Sequence, residues 1–181
     1  MGRVWIRTPF SVNKNLGEAY NDEMSAIPDG DAACLIDGDC MFTTSDYGFR
    51  LNTYYNANPS AVLTCWINRI HPLAKGQWYQ DGRCDDVASC LRAAQRMKDV
   101  YTTTPIIGSV SGTLLVVPKR VWALHPFTLV NQYRPGEPNL LGVDNQFTNN
   151  VRSKGIPVLR MDGILIYHQY RLLTNTKDHL L

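Results

Sequence analysis

The feature that most constrains the fold of this chain is an unbroken apolar run that ends in two carboxylates. Residues 32–36 (Ala-Ala-Cys-Leu-Ile) show no polar alternation, and Asp37, Gly38 and Asp39 follow directly. Such a run is typical of a strand buried on both faces, as in the centre of a parallel sheet. Ligands of open α/β sheets bind just beyond the carboxyl ends of such strands. We therefore expect Asp37 and Asp39 to lie where the chemistry takes place.

Strands and helices alternate through the first half of the chain, which predicts an α/β fold. With 181 residues, of which 44% are hydrophobic, the chain is long enough for one domain with its own core. We place this domain at residues 1–174 and interpret 175–181 as a loose C-terminal tail. Asp162-Gly163 predicts the turn of a late antiparallel hairpin. The predicted strands are 4–6, 32–36, 61–67, 112–117, 156–159 and 164–167, and the predicted helices begin near Leu16, Ser45, Asp85, Pro118 and Asp144.

Charge, cysteine content and hydropathy exclude several classes of protein. The net charge is +2 and the basic residues are scattered, so no electrostatic surface for nucleic acid is expected. No segment has the length of an apolar membrane span, and the N-terminus lacks a signal-peptide core. The five cysteines are odd in number and form no Cys-x-x-Cys pair, which argues against a disulfide scaffold or a zinc site. A reducing cytoplasm is the expected compartment.

The residues themselves leave three interpretations of Asp37-Gly38-Asp39 open: a solvated turn after a strand, a calcium loop or a metal–diphosphate site. A calcium loop of the EF-hand type needs further oxygen ligands and a late glutamate, which this segment lacks. Two hard oxygen donors suit Mg²⁺ or Mn²⁺ that carries phosphates. The position directly after a fully apolar strand favours the third interpretation.

Asp144 and His168 are two further candidates for chemistry. Asp144 precedes a helical pattern and is predicted to be the N-cap of that helix. A helix N-terminus also favours the ionised form of a carboxylate, which a general base requires. His168 ends the apolar run 164–167, much as Asp39 follows the run 32–36. If these two strand ends face each other, a carboxylate and an imidazole together fit Mn²⁺ better than Ca²⁺.

Asn15, Gly17 and Arg69 each have a structural and a functional interpretation. Asn15 can cap the first helix, with Glu18 three residues later as in a capping box, and Gly17 can permit close backbone approach. Alternatively, this helix N-terminus faces a phosphate or a sugar. Arg69 can pair with a phosphate or with a structural carboxylate, and the sequence does not decide between them.

In this order, the motifs resemble those of the GT-A glycosyltransferases, especially the inverting family-2-like group. The segment 15–21 (Asn-Leu-Gly-Glu-Ala-Tyr-Asn) resembles the family's Asn-x-Gly-x-Ala-x-Asn-type helix, and 37–39 (Asp-Gly-Asp) is similar to its DxD motif. Residues 111–115, which contain Gly112, look like the strand start beside the donor sugar. Residues 142–145 are similar to the segment that supplies the catalytic base. Tyr167-His168 resembles the late histidine that completes the metal site in some members.

The resemblance covers roughly residues 13–171 and implies a compact GT-A-like domain with a mixed, mostly parallel sheet flanked by helices. It implies a metal-dependent transfer of a sugar, with inversion, from a nucleotide-diphosphate donor to an acceptor hydroxyl on a carbohydrate or another molecule. A UDP-sugar is the favoured donor, Mn²⁺ or Mg²⁺ the metal and Asp144 the base. The implied donor-binding residues are Asn15, Gly17, Asp37, Asp39, Arg69 and Gly112, and the implied metal ligands are Asp37, Asp39 and His168.

The chain also departs from the family pattern. About a dozen residues precede the segment 15–21, so the resemblance implies a shortened N-terminal nucleotide-binding half. An exposed sheet edge left there would favour a homodimer. Val143 stands where the family often has a second acid. Two other functions stay open: a non-catalytic nucleotide- or carbohydrate-binding accessory domain, and a nucleotidyltransferase, whose usual Gly-rich phosphate loop is not visible.

Overall fold

The computed structural model describes residues 1–71, 73–80, 84–132, 134–139 and 142–169. The expected tail, 175–181, lies outside these residues. The strands are β1 (Val4–Arg7), β2 (Ala32–Ile36), β3 (Cys40–Phe42), β4 (Val62–Ile67), β5 (Thr103–Pro105), β6 (Leu114–Pro118) and β7 (Val158–His168). The helices are α1 (Leu16–Ser25), α2 (Tyr47–Ala57), α3 (Val87–Arg96), α4 (Lys119–Leu124) and α5 (Val143–Ser153). None of these helices has the length and apolar character needed to cross a bilayer.

The strands form one mixed sheet in the order β1-β2-β6-β4-β7-β3, with β5 paired to β7. The α/β class is therefore confirmed. The expected predominance of parallel pairs is wrong, because only β1–β2 and β4–β7 run parallel among the described pairs. The main reason is β6, which lies antiparallel between β2 and β4, with Leu35 opposite Leu115 and Leu63 opposite Val116.

Strand β2 is buried on both faces, as its apolar run predicts, and all five of its residues are buried. Alternate side chains enter two different cores. Cys34 packs with residues of α2 such as Leu51, whereas Leu35 packs with residues of α1 and α5 such as Phe147. A sheet covered by helices on both faces fixes the end of β2, and therefore Asp37, in a well-packed frame.

The hairpin predicted at Asp162-Gly163 is wrong, because β7 runs without interruption through both residues. Instead, the pair forms a bulge: Cys65 lies opposite Met161, while its neighbour Trp66 lies opposite Leu165. The Asp162 carboxylate accepts hydrogen bonds from the hydroxyls of Thr102 and Thr104 and from Arg160 Nε. A Cβ on Gly163 would lie 2.0 Å from the Val100 carbonyl oxygen, so this position requires glycine.

Most other element boundaries lie within a few residues of the prediction. Asn15 caps α1 as expected, because its side-chain oxygen accepts from the Glu18 amide at 3.2 Å. The helix predicted to begin near Asp85 is capped by Asp86 and ends at Arg96. Pro118 ends β6 and caps α4 rather than occupying the first helical position.

Candidate functional site

Four segments that are distant in the sequence meet at the end of β2. The amide of Asp37 donates to the Thr113 carbonyl at 3.1 Å, which joins this strand end to the residues before β6. The amide of Gly112 donates to Asp144 Oδ2 at 2.5 Å, which adds the start of α5. The amide of Gln169 donates to the Asp39 carbonyl at 3.1 Å, which adds the end of β7. The edge predicted from the apolar run is therefore a junction of four segments.

A cleft of about 110 Å³ opens at this junction. Its walls come from α1, the end of β2, the residues before β6 and the start of α5. Pockets that enclose a whole small molecule measure roughly 300–1,000 Å³, so this cleft can hold only one end of a larger ligand. The lining residues are Leu16, Tyr20, Asp37, Ser111, Gly112, Thr113, Gly142, Val143 and Asp144.

Asp144 lies in the first turn of α5, but the prediction that it is the N-cap is wrong. Gly142 is the N-cap, with φ at 80°, a left-handed conformation that favours glycine. Asp144 is thus the second helical residue and its carboxylate is turned toward Gly112. Its Oδ2 accepts from the Gly112 amide and its Oδ1 accepts from the Asn145 amide at 2.8 Å.

Burial raises the pKa of the two cleft carboxylates above the usual range for aspartate. For Asp144, desolvation outweighs the opposing effect of the hydrogen bonds from Asn145 and Gly112. For Asp37, desolvation is again the largest cause; His168 opposes it, and the charges of Asp39 and Asp144 add to it. Carboxylates of this kind favour a cation or a proton donor as their next neighbour.

His168 is buried at the end of β7 and its ring orientation is fixed. Its Nδ1 lies 2.8 Å from the Arg69 carbonyl oxygen. Because a carbonyl only accepts, Nδ1 carries the proton in this contact and the ring directs Nε2 toward Asp39. Nε2 lies 3.4 Å from Asp39 Oδ1, and a metal ion bound between these two atoms would stabilise their close approach.

Asp39, Cys40 and His168 form a cluster whose ligand atoms all lie within 4.8 Å of one another. Cys40 joins it because it pairs directly with His168 across β3 and β7. Cys40 was not predicted as a site residue, because this strand register is not visible in the sequence. Asp37, a predicted metal ligand, lines the cleft instead of joining the cluster. Oxygen and nitrogen donors with one sulfur suit a transition metal better than Mg²⁺.

The other predicted donor-binding residues have contacts within the protein. The Asn15 amide group donates to the Leu129 carbonyl in addition to its capping bond. A Cβ on Gly17 would lie 2.1 Å from the Thr128 carbonyl oxygen, so Gly17 permits α1 to approach that backbone. Their roles in donor binding stay predictions.

Arg69 is buried and contacts a carboxylate, as its structural interpretation predicts. Its Nη2 lies 3.7 Å from Asp85 Oδ1, while its Nε has no hydrogen-bond partner within the part of the chain that the structure describes. The Arg69 carbonyl also orients His168. Phosphate binding by its guanidinium stays a prediction.

Tyr20 is a cleft residue that the sequence analysis missed. It lies one helical turn after Leu16, which also lines the cleft, and this i, i+4 spacing is the signal that could have identified it.

Comparison of the chain with models of known protein families and with curated proteins finds no match in either. The fold and the geometry of the site are therefore the basis for assigning a function.

Proposed function

We propose that this chain is a metal-dependent glycosyltransferase of GT-A type, which moves a sugar from a nucleotide-diphosphate donor to an acceptor hydroxyl with inversion. One observation carries the proposal: Asp37, Asp39, Asp144 and His168, which come from three distant parts of the sequence, lie around one sheet edge. The order of motifs that resembles the GT-A enzymes therefore corresponds to a set of neighbouring side chains.

The Asp39 and His168 end of this site suits the diphosphate of a nucleotide-sugar. The diphosphate is an anion, and carboxylates repel it unless a cation lies between them. The Asp39 carboxylate and His168 Nε2 would hold a divalent metal, which when bound neutralises the charge that develops on the leaving diphosphate. Mn²⁺ accepts both oxygen and nitrogen donors, whereas Mg²⁺ prefers oxygen donors and water.

Asp144 is the proposed base. The acceptor hydroxyl oxygen forms a bond to the anomeric carbon while the bond from that carbon to the diphosphate oxygen breaks. The hydroxyl proton passes to the Asp144 carboxylate, and the nucleoside diphosphate leaves with the bonding electrons. Burial raises the pKa of Asp144 and so makes it a better proton acceptor than an exposed aspartate. Attack on the face opposite the leaving group inverts the anomeric centre.

Thermal unfolding of the full chain with UDP-, GDP- and dTDP-sugars, each with and without Mn²⁺, tests donor binding. A ligand at about 100 times its Kd adds roughly 2.7 kcal/mol to the free energy of unfolding. Each kcal/mol moves the midpoint by about 2–4 °C in a chain of this size. We expect a Mn²⁺-dependent rise with one base that Asp39→Asn abolishes. No rise with any of the donors would contradict the proposal.

A non-catalytic nucleotide- or carbohydrate-binding domain is the second candidate. The small volume of the cleft, about 110 Å³, favours it, because less of a donor is enclosed than in most ligand pockets. Such a domain would give the same thermal response but would not release nucleoside diphosphate from the donor. The two candidates therefore differ in turnover and not in binding.

A further inference from the structure

Tyr20 places a phenol hydroxyl in the wall of the cleft. The residue is only 2% exposed, and its ring packs edge-on against Phe127 with the ring centroids 4.8 Å apart. A Cβ on Gly112 would lie 3.0 Å from the Tyr20 hydroxyl, so the oxygen reaches the cleft wall opposite α1. The packed ring fixes where this hydroxyl points.

Within the described residues, the Tyr20 hydroxyl makes no hydrogen bond, unlike the hydroxyls of two other buried tyrosines. Tyr54 donates to the Val100 carbonyl at 3.0 Å and accepts from the Gly163 amide at 2.9 Å. Tyr55 donates to the Gly30 carbonyl at 2.7 Å. The Tyr20 oxygen is not among the described side-chain atoms that are fully buried without a partner, so it is open to the cleft. Phenylalanine would fill the space of the ring equally well, and the hydroxyl adds a hydrogen-bond donor to the cleft wall. A hydroxyl at this place therefore points to a group that enters the cleft.

The side chains around the Tyr20 hydroxyl determine which kind of ligand group the cleft can accept. Asp37 and Asp144 offer only acceptor oxygens when ionised, and the hydroxyls of Ser111 and Thr113 lie 2.8 Å from each other beside them. Burial, followed by the charges of the two aspartates, raises the pKa of Tyr20, so its hydroxyl stays a donor. A phosphate would be repelled by the carboxylates. A neutral hydroxyl can accept from Tyr20 and donate to a carboxylate at the same time.

We infer that the Tyr20 hydroxyl is a ligand-binding group, which donates to a carbohydrate hydroxyl that itself donates to Asp144 or Asp37. The inference rests on the proposed function for the choice of a carbohydrate, and it adds the residue that recognises one of its hydroxyls. The cleft is then the position of the neutral, reacting end of the ligand. The metal cluster lies outside this position.

Two isosteric substitutions test the inference. Tyr20→Phe removes a hydroxyl that bonds to no described residue, whereas Tyr54→Phe removes one that makes two structural bonds. We expect Tyr20→Phe to keep the wild-type melting temperature and Tyr54→Phe to lower it. Binding is followed by the NMR shift of the Gly112 amide as glucose, galactose or N-acetylglucosamine is added to the full chain. We expect Tyr20→Phe to weaken sugar binding about 3–10-fold, the value of one hydrogen bond, and Tyr54→Phe to leave it unchanged.

Several results would overturn the inference. A Tyr20→Phe protein that binds each sugar as the wild type does would show that the hydroxyl contacts no ligand. If the Gly112 amide of the wild type shows no saturable NMR shift with any of the sugars, the hydroxyl likewise contacts no such ligand. A fall in melting temperature for Tyr20→Phe as large as that for Tyr54→Phe would assign the hydroxyl to the fold. Tyr20-dependent sugar binding without any Mn²⁺-dependent nucleotide response would instead overturn the proposed transferase and support the inference.

Discussion

The backbone amide of Gly112 donates to Oδ2 of Asp144 at 2.5 Å and thereby connects the residues before β6 to the first turn of α5. A Cβ at residue 112 would lie 3.0 Å from the Asp144 Cβ, so a larger residue would displace the aspartate. Gly112 therefore positions Asp144 in this fold. This contact places the proposed base at the wall of the cleft.

Asp144→Asn tests the role of this carboxylate. Asparagine keeps the size of the side chain but cannot take a proton from the acceptor hydroxyl. We expect kcat for sugar transfer to fall by about 10²–10⁴, with the Kd for the donor unchanged. Asp162→Asn is a matched control, because Asp162 is also hydrogen-bonded but lies in the β7 bulge. It should lower stability and not kcat. An Asp144→Asn protein with full kcat would rule out the base assignment.

The pKa shifts predict opposite pH dependences for two aspartates. The folded-state pKa of Asp144 is raised by burial, so its contribution to stability is present below the ordinary pKa and is lost as the pH rises through the folded value. The pKa of Asp31 is lowered, chiefly by the hydrogen bond from Trp5 Nε1, so its contribution is present above the ordinary pKa and is lost as the pH falls.

Urea denaturation at a series of acidic to neutral pH values measures this difference. Relative to Asp144→Asn, the wild type should lose stability as the pH rises above about 4, near the ordinary value for aspartate. Relative to Asp31→Asn, the wild type should gain stability as the pH rises toward about 4 and should change little above it. Parallel pH profiles for the wild type and Asp144→Asn would show that burial does not raise the pKa of this carboxylate.

Metal binding is expected to depend on Asp39 and to discriminate between metals through Cys40. By titration calorimetry, Asp39→Asn should lose Mn²⁺ binding, whereas Asp29→Asn, a change at an exposed turn residue, should retain it. Cys40→Ser should keep Mn²⁺ binding and weaken Zn²⁺ binding, because sulfur prefers the softer metal. Equal Mn²⁺ affinity for the wild type and Asp39→Asn would place the metal elsewhere.

Two glycine-to-alanine substitutions distinguish the effect of close packing on stability from the effect of helix propensity. Gly17→Ala would place a Cβ 2.1 Å from the Thr128 carbonyl oxygen and should lower the free energy of unfolding by about 1–3 kcal/mol or more. Gly48→Ala, in the first turn of α2, meets nothing within 4 Å and should raise it by about 0.5–1 kcal/mol. Chemical denaturation checks both values. A neutral Gly17→Ala would show that α1 can move away from Thr128.

Local sequence signals predicted the parts of the fold that depend on local physics. The apolar run of β2 and the Asn15 cap of α1 both match the structure, because burial pattern and capping chemistry act within a few residues. Asp162-Gly163 is a frequent turn sequence, yet here it forms a bulge within β7, beside the neighbouring strand β5 and the Val100 carbonyl. The Asp162-Gly163 bulge therefore depends on contacts with residues about 60 positions earlier in the chain.

The candidate site was predictable only in part. Asp37 and Asp39 could be placed at a sheet edge because they follow a buried strand, and His168 because it ends another. Cys40 could not be found in this way, and the only sequence signal for Tyr20 is its i, i+4 spacing from Leu16. Cys40 reaches the cluster through the pairing of β3 with β7, and Tyr20 reaches the cleft through the packing of α1, and both are tertiary features.

Release of nucleoside diphosphate is the most direct test of the proposed glycosyltransferase. The full chain is incubated with UDP-, GDP- or dTDP-sugars and Mn²⁺, without and with hydroxyl acceptors, and the freed diphosphate is measured against a protein-free control. We expect slow Mn²⁺-dependent release from one donor, faster release with an acceptor, and loss of release in Asp39→Asn. A wild-type rate equal to the protein-free rate for each donor would contradict the account, and donor binding without release would identify a binding domain.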